Sequence, residues 1–223
     1  MKDKLITTAK GVIIAALFGA LVYAAGAFAA SKDDEIENPS ELGETYVGDV
    51  VADAMKAALG ADAALAHGGS LGFDALPEKI TDKTVSALVP FDTDMVVAVK
   101  LKGDAVRRIL EKSCSLLPRR SSTFLQVSGM SFTCDLNQSP GKRVSGVKIG
   151  GKALAADKDY VVAVTEYLSS GGGGMKEFRE GKVVSEEGTP IGEVVLKNSK
   201  YDKKKIDQPE GRITIIPAAK DSE

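Results

Sequence analysis

Few residues in this chain are of a type that could carry out bond-breaking chemistry. The 223 residues include one histidine, His67, and two cysteines, Cys114 and Cys134. A two-metal hydrolytic centre needs several His, Asp and Asn ligands around paired ions, and a structural zinc site needs closely spaced Cys and His ligands that are absent here. Ser70 follows His67 by three residues, but the GxSxG turn that exposes a nucleophilic serine is missing. The sequence therefore predicts no catalytic residues, no metal site and no cofactor.

Aromatic side chains in loops are better candidates for ligand contacts. Aromatic residues make up 5% of the chain and tryptophan is absent. Phe91 precedes Asp92 in a predicted loop, and Tyr167 precedes the glycine-rich run 169–174. Two facing rings can hold a flat base, because stacking contributes about 1 to 3 kcal/mol per base. On composition alone, however, Phe91 is expected to be a core residue.

The elements that position these residues follow from the periodicity of apolar side chains. Residues 47–58 have helical spacing, and residues 63–66 predict a short strand. That strand places His67 at its exit, where ligand contacts are common. Residues 95–101 alternate as a strand, and Asp104 is predicted to cap the helix that follows. Helices interleaved with strands and hairpins predict an α+β or mixed α/β fold.

The first thirty residues differ in composition from the rest of the chain. Residues 11–30 are an uncharged apolar run that follows three lysines and ends in small residues. This pattern is typical of a secretory signal peptide cleaved after Ala29, although an uncleaved run of about 20 residues is also long enough to anchor the chain in a membrane. We expect a periplasmic or extracellular protein. The predicted organisation is a signal peptide or anchor, a flexible leader, a domain and a tail, at residues 1–29, 30–40, 41–217 and 218–223.

The charge distribution argues against a nucleic-acid partner. Charged residues make up 27% of the chain, both signs are mixed, and the formal net charge is −2. A protein that binds nucleic acid usually presents a basic field. The sequence predicts no such partner, and a membrane contact only if the N-terminal segment is not cleaved.

The two cysteines are both expected to point inward. Cys114 continues an apolar stripe at helical spacing, and Cys134 alternates with Phe132 and Met130 on a predicted strand. In an oxidising compartment they could form a disulfide. The sequence leaves two possibilities open, a disulfide or two buried free thiols, because it does not fix the geometry that a disulfide requires.

Six short strings together resemble one known module, the C-terminal, substrate-binding domain of the 5′-nucleotidase and UDP-sugar hydrolase family. They occur in the order and spacing of that domain and cover residues 41–216. The strings are VVADAM from Val50, HGGSLG from His67, VPFDTD from Val89, FLQVSG from Phe124, YLSSGGGGM from Tyr167 and EGRI from Glu210.

The resemblance implies both a fold and a ligand site. The fold would contain two mixed sheets packed face to face, with helices outside. In the family, a substrate base lies between two aromatic rings, whose positions match Phe91 and Tyr167 here. His67 and Asp92 are the further candidate contacts, since they lie in the same matching strings.

Several departures from the family pattern affect the charged part of that site. His67 stands where the family has Asn, and Gly72 stands where its NGGGIR-like string ends in Arg. A second family arginine aligns near Gly43, and a loop carboxylate becomes Gly173. No arginine occurs before Arg107. A guanidinium is the usual means of fixing a phosphate, so the resemblance predicts retained stacking and lost phosphate contacts.

Two hypotheses for function follow. In the first, the chain is an exported, non-catalytic module that binds a nucleoside-like or other flat ligand between Phe91 and Tyr167. In the second, it supplies substrate recognition to a separate metallophosphoesterase chain, as one part of a split, metal-dependent 5′-nucleotidase. The resemblance places the chain near hydrolases of nucleotide catabolism, but the chain has no dimetal ligand set of its own.

Overall fold

The computed structural model describes residues 38–72, 76–185, 187–205 and 208–219. The predicted signal peptide or anchor and most of the predicted leader lie outside these residues. Among the described helices, none is long and apolar enough to cross a membrane.

The described residues form ten strands and five α-helices. The strands are β1 (Ala63–His67), β2 (Met95–Lys102), β3 (Leu125–Ser128), β4 (Met130–Asp135), β5 (Val144–Ile149), β6 (Lys152–Ala153), β7 (Asp159–Thr165), β8 (Lys182–Val183), β9 (Thr189–Pro190) and β10 (Ile213–Ile216). The helices are α1 (Tyr46–Leu59), α2 (Val85–Leu88), α3 (Gly103–Cys114), α4 (Glu166–Ser169) and α5 (Ile191–Asn198).

The strands are arranged in two mixed sheets. The larger sheet has the order β3-β1-β7-β2-β8, with β9 also paired to β2. Its β1 and β7 are parallel, and its other pairs are antiparallel. The smaller sheet has the order β10-β4-β5-β6, with β10 parallel to β4. The predicted mixed α/β class with two mixed sheets is confirmed.

Both faces of the larger sheet are buried. On β1, Ala63 and Leu65 belong to the core shared with α3 and the smaller sheet, whereas Ala64 and Ala66 belong to the core shared with α1, α2 and α5. This division follows from the alternation of side chains along a strand. It explains why β1 consists of apolar residues throughout until His67, where the strand reaches the edge of the core.

Helix α3 contacts both sheets. The Ser113 hydroxyl accepts a hydrogen bond from the backbone N of Leu125 in the larger sheet at 2.8 Å. The Glu111 carboxylate accepts hydrogen bonds from the backbone N of Arg143 and of Val144, at the start of β5, at 2.9 and 3.0 Å. The helix begins at Gly103, with Lys102 at the N-cap position. The predicted cap at Asp104 is wrong by two positions, because the Asp104 side chain pairs with arginines of the next turn instead.

The predicted flexible leader is wrong at its C-terminal end. Residues Pro39–Glu41 form a 3-10 helix, and Asn38 and Ser40 are buried. The Asn38 side chain donates hydrogen bonds to the carbonyls of Gly68 and Leu71 at 3.0 and 3.1 Å. The domain therefore includes Asn38. The sequence does not indicate this, because polar residues that satisfy buried carbonyls have the same composition as a solvated loop.

The predicted tail also begins later than expected. The backbone N of Ala219 donates to the Asn137 side chain at 2.7 Å, and the Asn137 amide donates to the carbonyl of Pro217 at 3.1 Å. The chain is thus fixed at least two residues beyond the predicted domain end at residue 217.

Arg212 holds the last strand against the rest of the domain. Its guanidinium donates to the carbonyl of Val127 at 2.8 Å and to the carboxylates of Asp53 and Glu210 at 2.8 and 2.9 Å. The Glu44 carboxylate accepts from the backbone N of Arg212 at 2.9 Å. Strand β10 is therefore attached by these side-chain contacts, including one to α1, as well as by its pairing with β4.

Asp49 is a buried carboxyl beside this arginine. It is 1% exposed, and one of its oxygens lies 3.7 Å from the Arg212 Nε without a hydrogen-bond partner among the described residues. Its other oxygen accepts a hydrogen bond from the backbone N of Glu210 at 2.9 Å. Burial raises the pKa of Asp49 to about 7, because desolvation outweighs the hydrogen bond and the attraction of Arg212.

Cys114 and Cys134 lie together as two buried free thiols. Interaction with the Cys134 side chain, together with burial, raises the pKa of Cys114. The thiols join α3 to β4, and both point inward as the sequence predicts. Their oxidation to a disulfide stays a prediction.

Candidate functional site

The sheet topology brings three loops to one edge of the larger sheet. Strands β1 and β7 are parallel, so their C-terminal ends lie at the same edge. Strand β2 is antiparallel to β7, with Val96 paired to Thr165, so β2 begins at this edge. His67 ends β1, Tyr167 follows β7, and Phe91 lies in the turn that precedes β2. Ligand sites of open sheets are commonly found at such convergent strand ends.

His67 lies behind the ring of Tyr167. The two ring centroids are 5.2 Å apart and the planes are tilted by 49°. Burial lowers the pKa of His67, although a hydrogen bond to the backbone of Ser122 and the negative charge of Asp94 oppose this effect. The imidazole is therefore neutral near pH 7, and it supports the aromatic ring rather than presenting a charge.

The glycine loop holds the other parts of Tyr167. The Tyr167 hydroxyl accepts a hydrogen bond from the backbone N of Gly173 at 2.9 Å. A Cβ added to Gly172 would lie 2.7 Å from two carbons of the Tyr167 ring, so only glycine allows the ring to lie against the backbone here. Thr165 caps α4 through its hydroxyl, which accepts from the backbone N of Leu168. The ring is thus fixed from several sides, and the side chain is still 47% exposed.

A cavity of about 440 Å³ opens beside Tyr167. Its lining residues are Asp94, Val97, Glu166, Tyr167, Ser169, Ser170 and Val183. Of these, Val97 is buried in the sheet, whereas Tyr167 and Val183 are among the large apolar side chains exposed to solvent. The cavity thus combines an apolar base, an aromatic wall and a polar rim, a combination that is typical of small-molecule sites.

Phe91 is 57% exposed, so the composition-based prediction of a core residue is wrong. Its carbonyl accepts a hydrogen bond from the backbone N of Asp94 at 2.9 Å, which closes the turn. The carbonyl of Asp92 accepts from the backbone N of Gly192 at the start of α5, also at 2.9 Å. These bonds leave the ring of Phe91 in solvent at the edge that carries Tyr167. Among the described residues, Tyr167 makes its ring contact with His67 and none with Phe91.

The sequence did not identify Asp94, Glu166, Ser169, Ser170 or Val183 as site residues. Asp94 lies in the string VPFDTD, and Ser169 and Ser170 lie in YLSSGGGGM, but these strings identify the family and not the role of each residue. The signal that could have found Asp94 and Glu166 is positional, because each lies within three residues of an aromatic candidate. That signal has meaning only once the pairing of β2 with β7 is known.

Gly72 and Gly43, which stand at family arginine positions, differ in how much room the structure leaves for a side chain. A Cβ on Gly72 would lie 1.6 Å from the carbonyl oxygen of Ala87 in α2, whereas a Cβ on Gly43 would meet only the Ile215 side chain at 3.7 Å. The backbone N of Gly72 also donates to the carbonyl of Leu88 at 2.8 Å. The HGGSLG loop therefore packs against α2 too closely for any side chain at residue 72.

Metal ligands are not assembled in the described part of the chain, since no group of three or more His, Cys, Asp or Glu side chains there could hold an ion.

Comparison with known proteins decides the family. The model of the family described as "5'-nucleotidase, C-terminal domain" matches residues 25–180. The chain belongs to this family. The structure extends the domain beyond the matched segment, because α5 and β10 contribute to its two cores.

Relatives of this 5′-nucleotidase C-terminal domain are larger proteins. The chain is 35% identical over 146 residues to the trifunctional nucleotide phosphoesterase protein YfkN of Bacillus subtilis, an alignment of 61% of this chain and 10% of that protein. It is 29% identical over 117 residues to the 5′-nucleotidase of Bos taurus, covering 49% of this chain and 20% of that protein. The chain thus spans a fifth or less of these curated relatives.

Solved structures agree with the fold. The 5′-nucleotidase precursor of Thermus thermophilus superposes with a TM-score of 0.69 at 27% identity, over 79% of this chain and 36% of that one. The sulfate thiohydrolase SoxB of the same organism has a TM-score of 0.59 at 22% identity, over 76% of this chain and 32% of that one. Because enzymes named for different substrates share this fold, the ligand of the present domain must be argued from its own site.

Proposed function

We propose that this chain is a binding module, without catalysis of its own, for a nucleoside-like ligand whose flat ring stacks at Tyr167 and Phe91. Tyr167 carries the proposal. Its ring is half-exposed beside a cavity, yet its hydroxyl is held by Gly173, and His67 lies behind it. A ring fixed before binding loses little conformational freedom when a ligand stacks on it.

The size of the cavity supports a ligand of this class. Its volume of about 440 Å³ lies within the range of about 300 to 1,000 Å³ that is usual for small-molecule sites. Phe91 stands exposed in the turn at the same sheet edge, and in this proposal its ring supplies the second stacking contact. In this proposal His67 supports Tyr167 from behind, and Asp92 supports Phe91 by fixing its turn to the start of α5.

A second candidate function is substrate recognition for a metallophosphoesterase in a separate chain. The observation that favours it is the family match, because relatives that share this domain include the 5′-nucleotidase precursor of Thermus thermophilus. In either function we propose that the protein is exported, on the basis of the signal-like pattern in residues 1–29. A relative named snake venom 5′-nucleotidase, 30% identical over 103 residues, supports this proposal.

Calorimetric titration of adenosine into the purified chain tests the binding function. We expect Tyr167→Ala and Phe91→Ala each to weaken binding about 5- to 150-fold, which corresponds to 1 to 3 kcal/mol per stacked base. Leu116 is 42% exposed and does not line the cavity, so Leu116→Ala is a matched apolar control that should leave binding unchanged. If Tyr167→Ala and Phe91→Ala bound adenosine as tightly as the wild type and Leu116→Ala do, the proposal would be contradicted.

A phosphate-release assay separates binding from catalysis. With AMP and added Mn²⁺ or Zn²⁺, we expect the purified chain to release no phosphate above the rate of the buffer. Release that EDTA abolishes would show that the chain catalyses hydrolysis alone.

A further inference from the structure

We infer that Asp94 and Glu166 give the proposed site a preference for ligands whose polar end is cationic or rich in hydroxyl groups, and against ligands that carry a phosphate. The inference rests on the proposed binding site at Tyr167 and names the charge of the ligand that it accepts. Both carboxylates line the cavity together with the Tyr167 ring.

The sheet register explains why these two residues share one cavity. Val96 of β2 is paired with Thr165 of β7 across an antiparallel ladder. Asp94 lies two residues before Val96, and Glu166 lies one residue after Thr165. Both residues therefore lie at the same edge of the same strand pair, and both line the cavity that Tyr167 lines.

The described residues provide neither carboxylate with a partner. No hydrogen bond or ion pair links the side chain of Asp94 or of Glu166 to any described residue, whereas the exposed carboxylates Glu180 and Glu193 pair with Arg108 and Lys197. None of the residues that line the cavity is a lysine or an arginine. The two negative charges are therefore available to a ligand.

The negative charge of Asp94 acts on the imidazole of His67. Burial lowers the pKa of His67, and the negative charge of Asp94 partly opposes this effect. The carboxylate therefore lies close enough to the Tyr167 and His67 rings to affect the potential at which a ligand stacks.

Arg179 is the cation beside the cavity that could offset these charges. Its Nε donates to the carbonyl of Ser170 at 2.7 Å, and the guanidinium lies against the backbone of Gly171. It thus binds the backbone of the loop whose Ser170 lines the cavity, and it is not itself a lining residue. Lys182 precedes Val183 on β8, so its side chain points to the opposite face of the strand from the cavity residue.

The chemistry of carboxylates sets the direction of the preference. Ionised carboxylates only accept hydrogen bonds, so they can accept from ligand hydroxyl or ammonium groups and cannot donate to a phosphate. Exposed charge pairs contribute about 0.2 to 1 kcal/mol each. For two carboxylates, this corresponds to a roughly 2- to 30-fold difference in affinity between a cationic ligand and a neutral one.

Three ligands that differ only at the 5′ position test the inference. Adenosine is neutral there, 5′-amino-5′-deoxyadenosine carries an ammonium, and AMP carries a phosphate. We expect calorimetry at pH 7 and low salt to show the tightest binding for the amine, weaker binding for adenosine and the weakest for AMP. The difference between amine and AMP should shrink in 0.5 M NaCl, since salt screens exposed charges over a few ångströms.

Variants identify the source of the preference. The double variant Asp94→Asn with Glu166→Gln should bring the three affinities within about twofold of one another. Glu193→Gln removes an exposed carboxylate outside the cavity, so it should preserve the order. Arg179→Gln should also preserve the order, without loss of AMP binding. Thermal unfolding of each variant verifies that it is folded.

The possible failures can be told apart. If the wild-type chain binds none of the three ligands, the proposed nucleoside site is wrong and the inference fails with it. If all three bind but AMP binds as tightly as adenosine, or if the double variant keeps the order, only the inference is wrong. AMP binding that is lost in Arg179→Gln would instead assign a phosphate contact to that arginine.

Discussion

Gly72 is predicted to be essential for packing, and this packing excludes an arginine from the site. The perturbation is Gly72→Ala, with Gly43→Ala as its matched control. A Cβ at residue 72 would lie 1.6 Å from the backbone oxygen of Ala87, so helix α2 or the loop must move by more than an ångström. A Cβ at residue 43 would make an ordinary contact of 3.7 Å with a flexible side chain, and the φ of Gly43 is outside the left-handed region.

The two substitutions are expected to change the free energy of unfolding in opposite directions. Overpacking costs about 1 to 3 kcal/mol, and moving the loop also weakens the hydrogen bond from the Gly72 N to the carbonyl of Leu88, which is worth about 1 kcal/mol. We therefore expect Gly72→Ala to lower the free energy of unfolding by about 2 to 4 kcal/mol. Gly43→Ala should raise it by about 0.4 to 1 kcal/mol, because alanine restricts the unfolded chain.

Urea unfolding followed by circular dichroism measures both variants against the wild type. Two arginine variants, at residues 43 and 72, then test whether packing prevents an arginine from binding AMP. Gly43→Arg should fold and Gly72→Arg should be strongly destabilised, without a gain in AMP affinity. If Gly72→Arg were as stable as the wild type and bound AMP more tightly, the argument that packing excludes the arginine would be refuted.

Two further predictions concern stability. Because burial raises the pKa of Asp49 from 3.8 to about 7, its stabilising contribution is complete at low pH and is lost as pH rises through 7. Relative to Asp49→Asn, the wild type should therefore gain about 3 kcal/mol in free energy of unfolding from pH 8 to pH 5, a comparison in which the opposite contribution of His67 cancels. A pH-independent difference would mean that Arg212 keeps Asp49 ionised. Under oxidising conditions, Cys114 and Cys134 should form a disulfide that adds about 3 kcal/mol to the free energy of unfolding. Adding dithiothreitol should then lower the urea midpoint of the wild type and leave that of Cys134→Ser unchanged. Two free thiols, titrated in the unfolded wild type after oxidation, would contradict this prediction.

The backbone elements were largely predictable because they are encoded locally. Helix α1 follows its apolar periodicity and ends at Gly60, where φ is 57°. The Gly150–Gly151 turn connects β5 to β6, with positive φ at both glycines, as two-residue hairpins require. Such features depend on a few adjacent residues, so the sequence alone contains the information.

The composition of the site was much less predictable. Tyr167 and Phe91 were identified through family resemblance, and composition alone placed Phe91 in the core. Asp94 lies in the string VPFDTD and Glu166 directly precedes YLSSGGGGM, but their convergence on one cavity depends on the antiparallel pairing of β2 with β7. Asn38 was assigned to a flexible leader, because its buried contacts with a loop thirty residues away cannot be inferred from its neighbours.

The loop at Gly72 and the carboxylates at Asp94 and Glu166 are independent features that act in the same direction. The first excludes a guanidinium by close packing against α2, whereas the others place negative charge beside the stacking ring. Loss of an arginine alone would leave similar affinities for ligands with and without a phosphate, because a missing contact does not repel the phosphate. In the proposed site, the two unpartnered carboxylates would also disfavour a phosphate, because specificity is a difference of affinities and unfavourable contacts contribute to it. The proposed ligand therefore shares a flat ring with nucleotides and differs from them at the 5′ end.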